Sequence, residues 1–429
     1  MKTKILAISI LMVLLFGAAK TEAKTKPYYS GDAIAAGDIT LVGTVNMGFY
    51  ELFGLDKNGI SRLAVIRPAE EFYVGNKNFL GAAFANENGK IFAYLVDGRY
   101  IYKYDLSDPY LPVLAKKVKD SQWDWFMDVR VAGDNIYTIG KHGVKVWNND
   151  LEAINAFNGL TNESAYNMTF SGNGNFIFNL EEGKLKIYDA RARKYVSEVA
   201  ITVNEKHNRK IYNDAVSGRL IIADDENLLS MNFDGTGKKF VRHISNLGYD
   251  VAGSDNKSYL YFSDGLGLVK FDKATLKPLA WKYAKDLFGG ESAWMMGLKV
   301  VSRPSGDVII TFTDSAIVAL DAKLNRIGYI KSTEDNIGPF EPLALSVDKN
   351  RAPRGANFLL TGRGFMQSEP VDVMIGDTKY IVRADANGRF SQIFTIPEKI
   401  SGAQFPLPSD VKVESQYSGL KYSIGFTIE

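Results

Sequence analysis

Apolar and polar residues alternate along this chain in short runs, and one such run returns seven times. It reads ELFGLD ending at Asp56, IYKYD at Asp105, VKVWN at Asn148, LKIYD at Asp189, SMNFD at Asp234, LVKFD at Asp272 and IVALD at Asp321. The closing residues are 49, 43, 41, 45, 38 and 49 positions apart. Period-two alternation closed by a turn-forming Asp or Asn predicts a strand and then a turn. A period of this size is the length of a four-stranded unit.

The surroundings of the phrase predict the other strands. A polar turn precedes most copies: Asp97-Gly98, His142-Gly143, Glu182-Gly183, Glu226-Asn227, Asp264-Gly265 and Asp314-Ser315. Ahead of each turn stands a run that is apolar on both faces, such as IFAYLV before Asp97 or VIITFT before Asp314. Such runs suit second strands buried between neighbouring sheets. After the phrase come more polar runs, LPVLAKKV and RKYVSEVAI among them, which predict solvated fourth strands. The segments WFMDV, YNMTF, YNDAV, YDVAG and WMMGL read as innermost strands. The same order of elements returning from residue 27 to 331 predicts a seven-bladed β-propeller.

Near Gly338 the pattern stops, and Pro339 and Pro342 mark a linker over 332–342. Seven short alternating runs then fill 343–429, from LALSVDK to YSIGFTIE. About seven strands in roughly 90 residues predict an immunoglobulin-like β-sandwich, here with Phe358, Leu360, Phe365, Val373 and Phe394 in its core. The expected fold class is therefore all-β, a propeller followed by a sandwich.

Two segments resemble known families. FLLTGRGFMQSEPVDVMIG and VRADANGRFSQIFTIP, within 343–429, look like the Ig-like modules of bacterial surface and secreted proteins, of the IPT/TIG or a related kind. That resemblance implies a fold and no active site. IYKYDLSDPYLPVLAKKV at 101–118 is similar to the LVIVD repeat of bacterial and archaeal surface propellers, through its strand, Asp, Ser-Asp-Pro turn and Pro-Val-Leu strand. The other six units lack the Asp-Pro pair.

Composition places the chain in a compartment. Lys2 and Lys4 precede an apolar run from Ile5 to Ala19, too short to span a bilayer, and the small residues Thr21 and Ala23 follow. Residues 1–23 thus read as a secretory signal, with cleavage after Ala19 as the alternative. The sequence contains no cysteine, which excludes disulfides, thiolate metal sites and a lipid-modified N-terminal cysteine. An exported chain of this size without disulfides fits a bacterium, so the expectation is a periplasmic, surface-associated or secreted protein with no membrane span after signal removal. The sequons at Asn162, Asn167 and Asn256 then carry no glycan. With 51 Lys+Arg against 49 Asp+Glu, interspersed, no basic stripe points to nucleic acid.

Candidate chemistry is sparse. His142, His207 and His243 fall in different units, which argues against a histidine metal cluster or a Ser-His-Asp triad. Asp224-Asp225-Glu226-Asn227 reads as a solvated turn, and Asp385-Ala-Asn387-Gly388 lacks the downstream Glu of an EF-hand. No catalytic set, cofactor or metal is expected. About 23 residues before the closing Asp or Asn, an aromatic residue recurs: Trp125, Tyr166, Tyr212 and Tyr249, with Trp294 in the comparable place. These rings either pack between blades or form a belt at one channel mouth, where Asn167, Asn213 and Asp250 supply hydrogen bonds. The belt would hold a glycan or a protein ligand of the cell envelope or exterior. The other classes are a polysaccharide-active enzyme, with carboxylates at the mouth, and a structural envelope component.

Overall fold

The computed structural model describes residues 30–46, 49–66, 80–119, 126–140, 143–158, 160, 168–181, 183–192, 194–201, 210–214, 217–223, 227–242, 250–254, 258–263, 267–287, 295–313, 316–331, 344–365, 370–385, 388–398, 407–415 and 421–429. Residues 1–23, expected as a signal segment, and 332–342, expected as a linker, lie outside them. The described chain is all-β apart from one helical turn, Ala284–Leu287.

Seven four-stranded antiparallel sheets follow one another at 30–66, 81–119, 126–158, 168–200, 210–242, 250–283 and 295–331, each with its strands in chain order. The recurring phrase falls at the end of the third strand in six sheets; in the fifth the strand is Asn227–Asn232, Asn232 pairs as Asp272 does in the sixth, and Asp234 lies two residues beyond it. The phrase's closing residue has one local job, which is to cap the turn into the fourth strand. Asp321 Oδ1 accepts from the N–H groups of Lys323 and Asn325, and Asn148 Oδ1 from those of Asp150 and Glu152. Asp189, Asp234 and Asp272 do the same with residues two or three further on. This is why only Asp or Asn occurs there: a short side chain with an acceptor oxygen closes an Asx turn on its own backbone. In five sheets the pairing of third and fourth strands slips between the second and first residues before that cap, as at Lys103/Tyr104 and Lys270/Phe271. The repeated bulge twists each outer strand in the same way.

Burial follows the pattern. In the second strand of the seventh sheet every residue from Asp307 to Thr313 is buried, whereas the fourth strand Val113–Lys119 has no buried residue. Two-residue hairpins join first and second strands in the first, second, third and seventh sheets. At Asn88-Gly89 both residues take positive φ, 54° and 86°, the geometry that turns a hairpin in two residues.

Seven apolar clusters each straddle two consecutive sheets. Ala252, Tyr261 and Leu268 of the sixth sheet meet Met295, Leu298 and Ile309 of the seventh. Val42, Phe53 and Leu55 of the first meet Val308, Ile310 and Phe312 of the seventh. The remaining clusters join first to second, second to third, and so on to the sixth. The sheets therefore close on themselves. The first sheet is built entirely from 30–66, so closure rests on packing and side-chain bonds and not on a strand shared between the two ends of the chain.

Lysines lace adjacent sheets. Lys103 Nζ donates to Asn149 O of the third sheet at 2.8 Å and lies 4.1 Å from the Phe92 ring. Lys270, at the same place in the sixth sheet, donates to Ala322 O of the seventh at 2.8 Å and lies 3.6 Å from the Tyr259 ring. Each ammonium thus bonds the turn that follows the neighbour's cap residue, with an aromatic face beneath it.

Residues 344–428 form two further sheets. One holds Ala344–Val347, Asn357–Arg363 and Phe390–Thr395; the other holds Arg351–Ala352, Lys421–Ile428, Leu407–Ser415, Pro370–Ile375 and Thr378–Arg383. Phe358, Leu360, Phe365, Val373 and Phe394 are all buried in the one cluster between them. Among the described residues there are eight strands where seven were expected. The additional one, Arg351–Ala352, pairs in parallel with the last strand and is too short to leave a pattern. The Asp385 turn is also accounted for locally: its Oδ1 accepts from Arg389 N, and Gly388 bonds back to Asp385 O.

Candidate functional site

The first strands of the seven sheets, Ser30–Ala36, Gly81–Glu87, Phe126–Ala132, Met168–Phe170, Lys210–Asp214, Asp250–Gly253 and Met295–Arg303, surround a cavity of about 640 Å³. All seven contribute to its lining. An inner strand buries one face against its neighbours and turns the other to the cavity, so a polar residue within it has only the cavity or a neighbouring strand to face.

Charged residues gather there. Asp32, Asp128 and Asp250 line the cavity together with Arg130, Lys210 and Lys299. Asp250 Oδ1 accepts from Val251 N at 2.9 Å, and its Oδ2 from Leu298 N on the seventh sheet at 2.8 Å. Asp32 repeats the arrangement, taking Ala33 N on Oδ1 and Phe84 N of the second sheet on Oδ2. Each carboxylate is thereby a clasp between two inner strands. Asp128 accepts from Val129 N and, on Oδ2, from Arg130 Nε at 2.8 Å. Lys299 Nζ lies 3.3 Å from Asp32 Oδ1, across the junction of the seventh and first sheets.

The electrostatics span the cavity. Arg130 is held protonated chiefly by Asp128, with Asp250 and Asp32 adding to it from other sheets. Burial pushes the Lys210 ammonium below its ordinary value; Asp250 and Asp128 oppose that shift, while Arg130 and Lys299 add to it.

Of the eight residues expected at a channel mouth, Trp125, Tyr166, Asn167, Tyr249 and Trp294 lie outside the described residues. Inner strands begin at Phe126, Met168, Asp250 and Met295, close behind them in sequence. Tyr212, Asn213 and Asp250 all line the cavity, and they do different things. Tyr212 is not at the start of its strand. It pairs with Ile221, whereas Asp250 pairs with Ser263 at the strand end, so the fifth-sheet residue in Asp250's place is Lys210. The Tyr212 ring lies against the next sheet at Gly253, where an added Cβ would stand 2.6 Å from it, and Lys273 Nζ sits 5.5 Å from its centroid. Asn213 Nδ2 donates to Phe170 O of the fourth sheet at 2.9 Å.

The charged residues Asp32, Asp128, Arg130, Lys210 and Lys299 were not among those expected. Their signal was present: single charges inside runs that otherwise read as buried strand, as in Gly-Asp-Ala at 31–33 and Leu-Lys-Val at 298–300. Among the described residues no group of three or more His, Asp or Glu side chains is placed to hold a metal ion, and no helix is long and apolar enough to cross a membrane. No protein-family model matches this sequence, and no curated protein matches it.

Proposed function

We propose that this chain is an exported bacterial binding protein in which a seven-bladed β-propeller, 27–331, is followed by an immunoglobulin-like module, 343–429. The propeller holds a glycan or protein ligand of the envelope or exterior at its central cavity, and the second module acts as spacer or docking element. The observation that carries the reading is the cavity itself: seven inner strands enclose about 640 Å³ and line it with charged groups and amides. That volume falls in the range of about 300–1,000 Å³ common for ligand sites.

Binding is favoured over acid–base chemistry by what the carboxylates do. Asp32 and Asp250 each have both oxygens engaged by main-chain N–H groups of two strands, so these carboxylates are held in place as braces of the ring and are not free to turn toward a substrate. Export rests on the basic and apolar opening of the sequence, 1–23.

A screen of the mature protein against envelope glycans, peptidoglycan fragments and envelope proteins tests the proposal. Saturable binding without turnover, blocked by substitution of cavity residues, is the expected result. Cleavage of a bound glycan would replace it with the enzyme reading, and self-association without any ligand would replace it with the structural one.

A further inference from the structure

The charge on the cavity wall is balanced in number and unbalanced in direction. Three carboxylates face three cations, yet the carboxylates are turned into the wall. Asp32 and Asp250 are each held by N–H groups on both oxygens, and Asp128 by Val129 N and Arg130 Nε. Two of the cations are less fully used. Among the described residues Arg130 bonds Asp128 through Nε alone, which leaves both terminal amino groups of the guanidinium, and its side chain remains 35% exposed. Lys299 also keeps 35% of its side chain exposed and makes only a long contact, 3.3 Å, with Asp32. Lys210 lines the same cavity from the fifth sheet. The three cations stand on the third, fifth and seventh sheets, so they approach from different sides of the ring.

We infer that the central cavity is an oxyanion site, in which the Arg130 guanidinium takes a carboxylate group of a polar ligand while Lys210 and Lys299 supply flanking charge. The inference rests on the proposal that the cavity is a binding site, and it names the chemistry that site selects. A guanidinium held at Nε presents its two amino groups as a planar fork, which matches the two oxygens of a carboxylate. The surrounding wall, with Thr169, Ser171 and Asn213 between the charges, suits a ligand that carries hydroxyl groups on the same body as the acid. An acidic saccharide has that chemistry. Phosphate shares the affinity for cations, but it gathers its second charge on the same group, where it would meet the three carboxylates behind them, whereas an acidic saccharide carries one charge per sugar ring and so fits better. An anion beside Lys210 would also offset the burial that now disfavours its charge.

The test uses the full mature protein and calorimetric titration with four probes: trigalacturonate, its fully methyl-esterified neutral counterpart, citrate and inorganic phosphate. The expected result is binding of trigalacturonate at least tenfold tighter than its ester, and a loss of tenfold or more in Arg130→Gln at unchanged thermal midpoint. Arg130→Lys keeps the charge without the fork and should show an intermediate loss. Should Arg130→Gln fail to fold, Lys299→Gln gives the same reading with a smaller loss. Equal binding of acid and ester, or binding indifferent to both substitutions, overturns the oxyanion assignment and leaves the cavity a binding site. Phosphate binding alone overturns the carboxylate preference. If neither acid binds, the oxyanion assignment is wrong; only failure of the wider envelope screen as well would remove the binding reading.

Discussion

Lys299 on the seventh sheet and Asp32 on the first stand 3.3 Å apart, at the junction where the ring of sheets closes. Asp32 has a second role there, because its Oδ2 also receives the N–H of Phe84 from the second sheet. One carboxylate therefore touches three consecutive members of the ring. The two contacts differ in worth. The ion pair is partly exposed and contributes about 0–1 kcal/mol, whereas charge-assisted bonds to main-chain N–H groups contribute about 1.5–3 kcal/mol each and leave unsatisfied donors when lost. Asp32→Ala is thus expected to lower stability by about 2 kcal/mol or more, and Lys299→Met by less than about 1 kcal/mol. Urea unfolding of both variants measures this, and equal losses would mean that the ion pair, not the clasp, closes the ring.

The lacing lysines make a parallel prediction at two distant places. Lys103 and Lys270 occupy the same position in the second and sixth sheets and bond the same position of the sheet that follows. Replacing either by Met keeps the aromatic contact of the stem and removes the charged donor, leaving a turn carbonyl without it. Each change is expected to cost about 1–3 kcal/mol, and the two should add, since the sites share no partner. A double variant that loses much less than the sum of the single losses would show that the sheets do not respond independently.

Much of the ring could be read in the sequence because its repeated phrase encodes local physics. Alternation sets the third strand, and Asp272 or Asp321 at its end closes a turn with atoms no more than four residues away. Nothing distant is needed to recognise such a unit. The cavity was less legible for the opposite reason. Asp32 and Lys299 come from the two ends of the repeat region, and each looks alone like a stray polar residue in a strand. Tyr212 was matched to Tyr249 by its distance from the closing Asp, but in the fifth sheet Asn232, not Asp234, pairs as Asp272 does in the sixth, and those two extra residues put Tyr212 two positions beyond Lys210, the residue in Asp250's place. Counting residues locates a strand well and a position within it poorly, because a shift of a single residue turns a side chain to the other face.

The cap residues also set an acid limit. Hydrogen bonds from Thr236 and Thr275 hold the carboxyls of Asp234 and Asp272 below the ordinary carboxylate value. A carboxyl lowered in the folded state adds stability that is present above its unfolded value, near pH 4, and is lost as the pH falls through the folded one. Asp234→Asn and Asp272→Asn together keep an acceptor for the turn and remove the titration. The thermal midpoint of the native protein is expected to fall more steeply below pH 4 than that of the double variant. Parallel curves would show that these turns contribute nothing to acid sensitivity.

The second module gives a test of the boundary proposed at 343. Its core is a single cluster centred on Phe358, Leu360, Val371 and Val373, all essentially inaccessible to water. Expressed alone, residues 343–429 should unfold in one cooperative transition. Phe358→Ala should cost about 3–5 kcal/mol within it, the usual loss for a large aromatic side chain removed from a core. A fragment without a cooperative transition would place the boundary elsewhere or make the module dependent on the ring.

Tyr212 and Gly253 allow packing to be separated from ligand contact at the cavity wall. The ring lies against Gly253 of the next sheet so closely that a Cβ there would stand 2.6 Å from it. Gly253→Ala should therefore destabilise the protein by about 1–3 kcal/mol through overpacking, and Tyr212→Ala by about 2–3 kcal/mol through the space it leaves. In the double variant the new methyl group enters that space, so the combined loss should be smaller than the sum by 1 kcal/mol or more, a coupling that only touching residues show. If the losses simply add, and Tyr212→Ala weakens a bound ligand without lowering the thermal midpoint, the ring belongs to the binding surface and not to the seam between the fifth and sixth sheets.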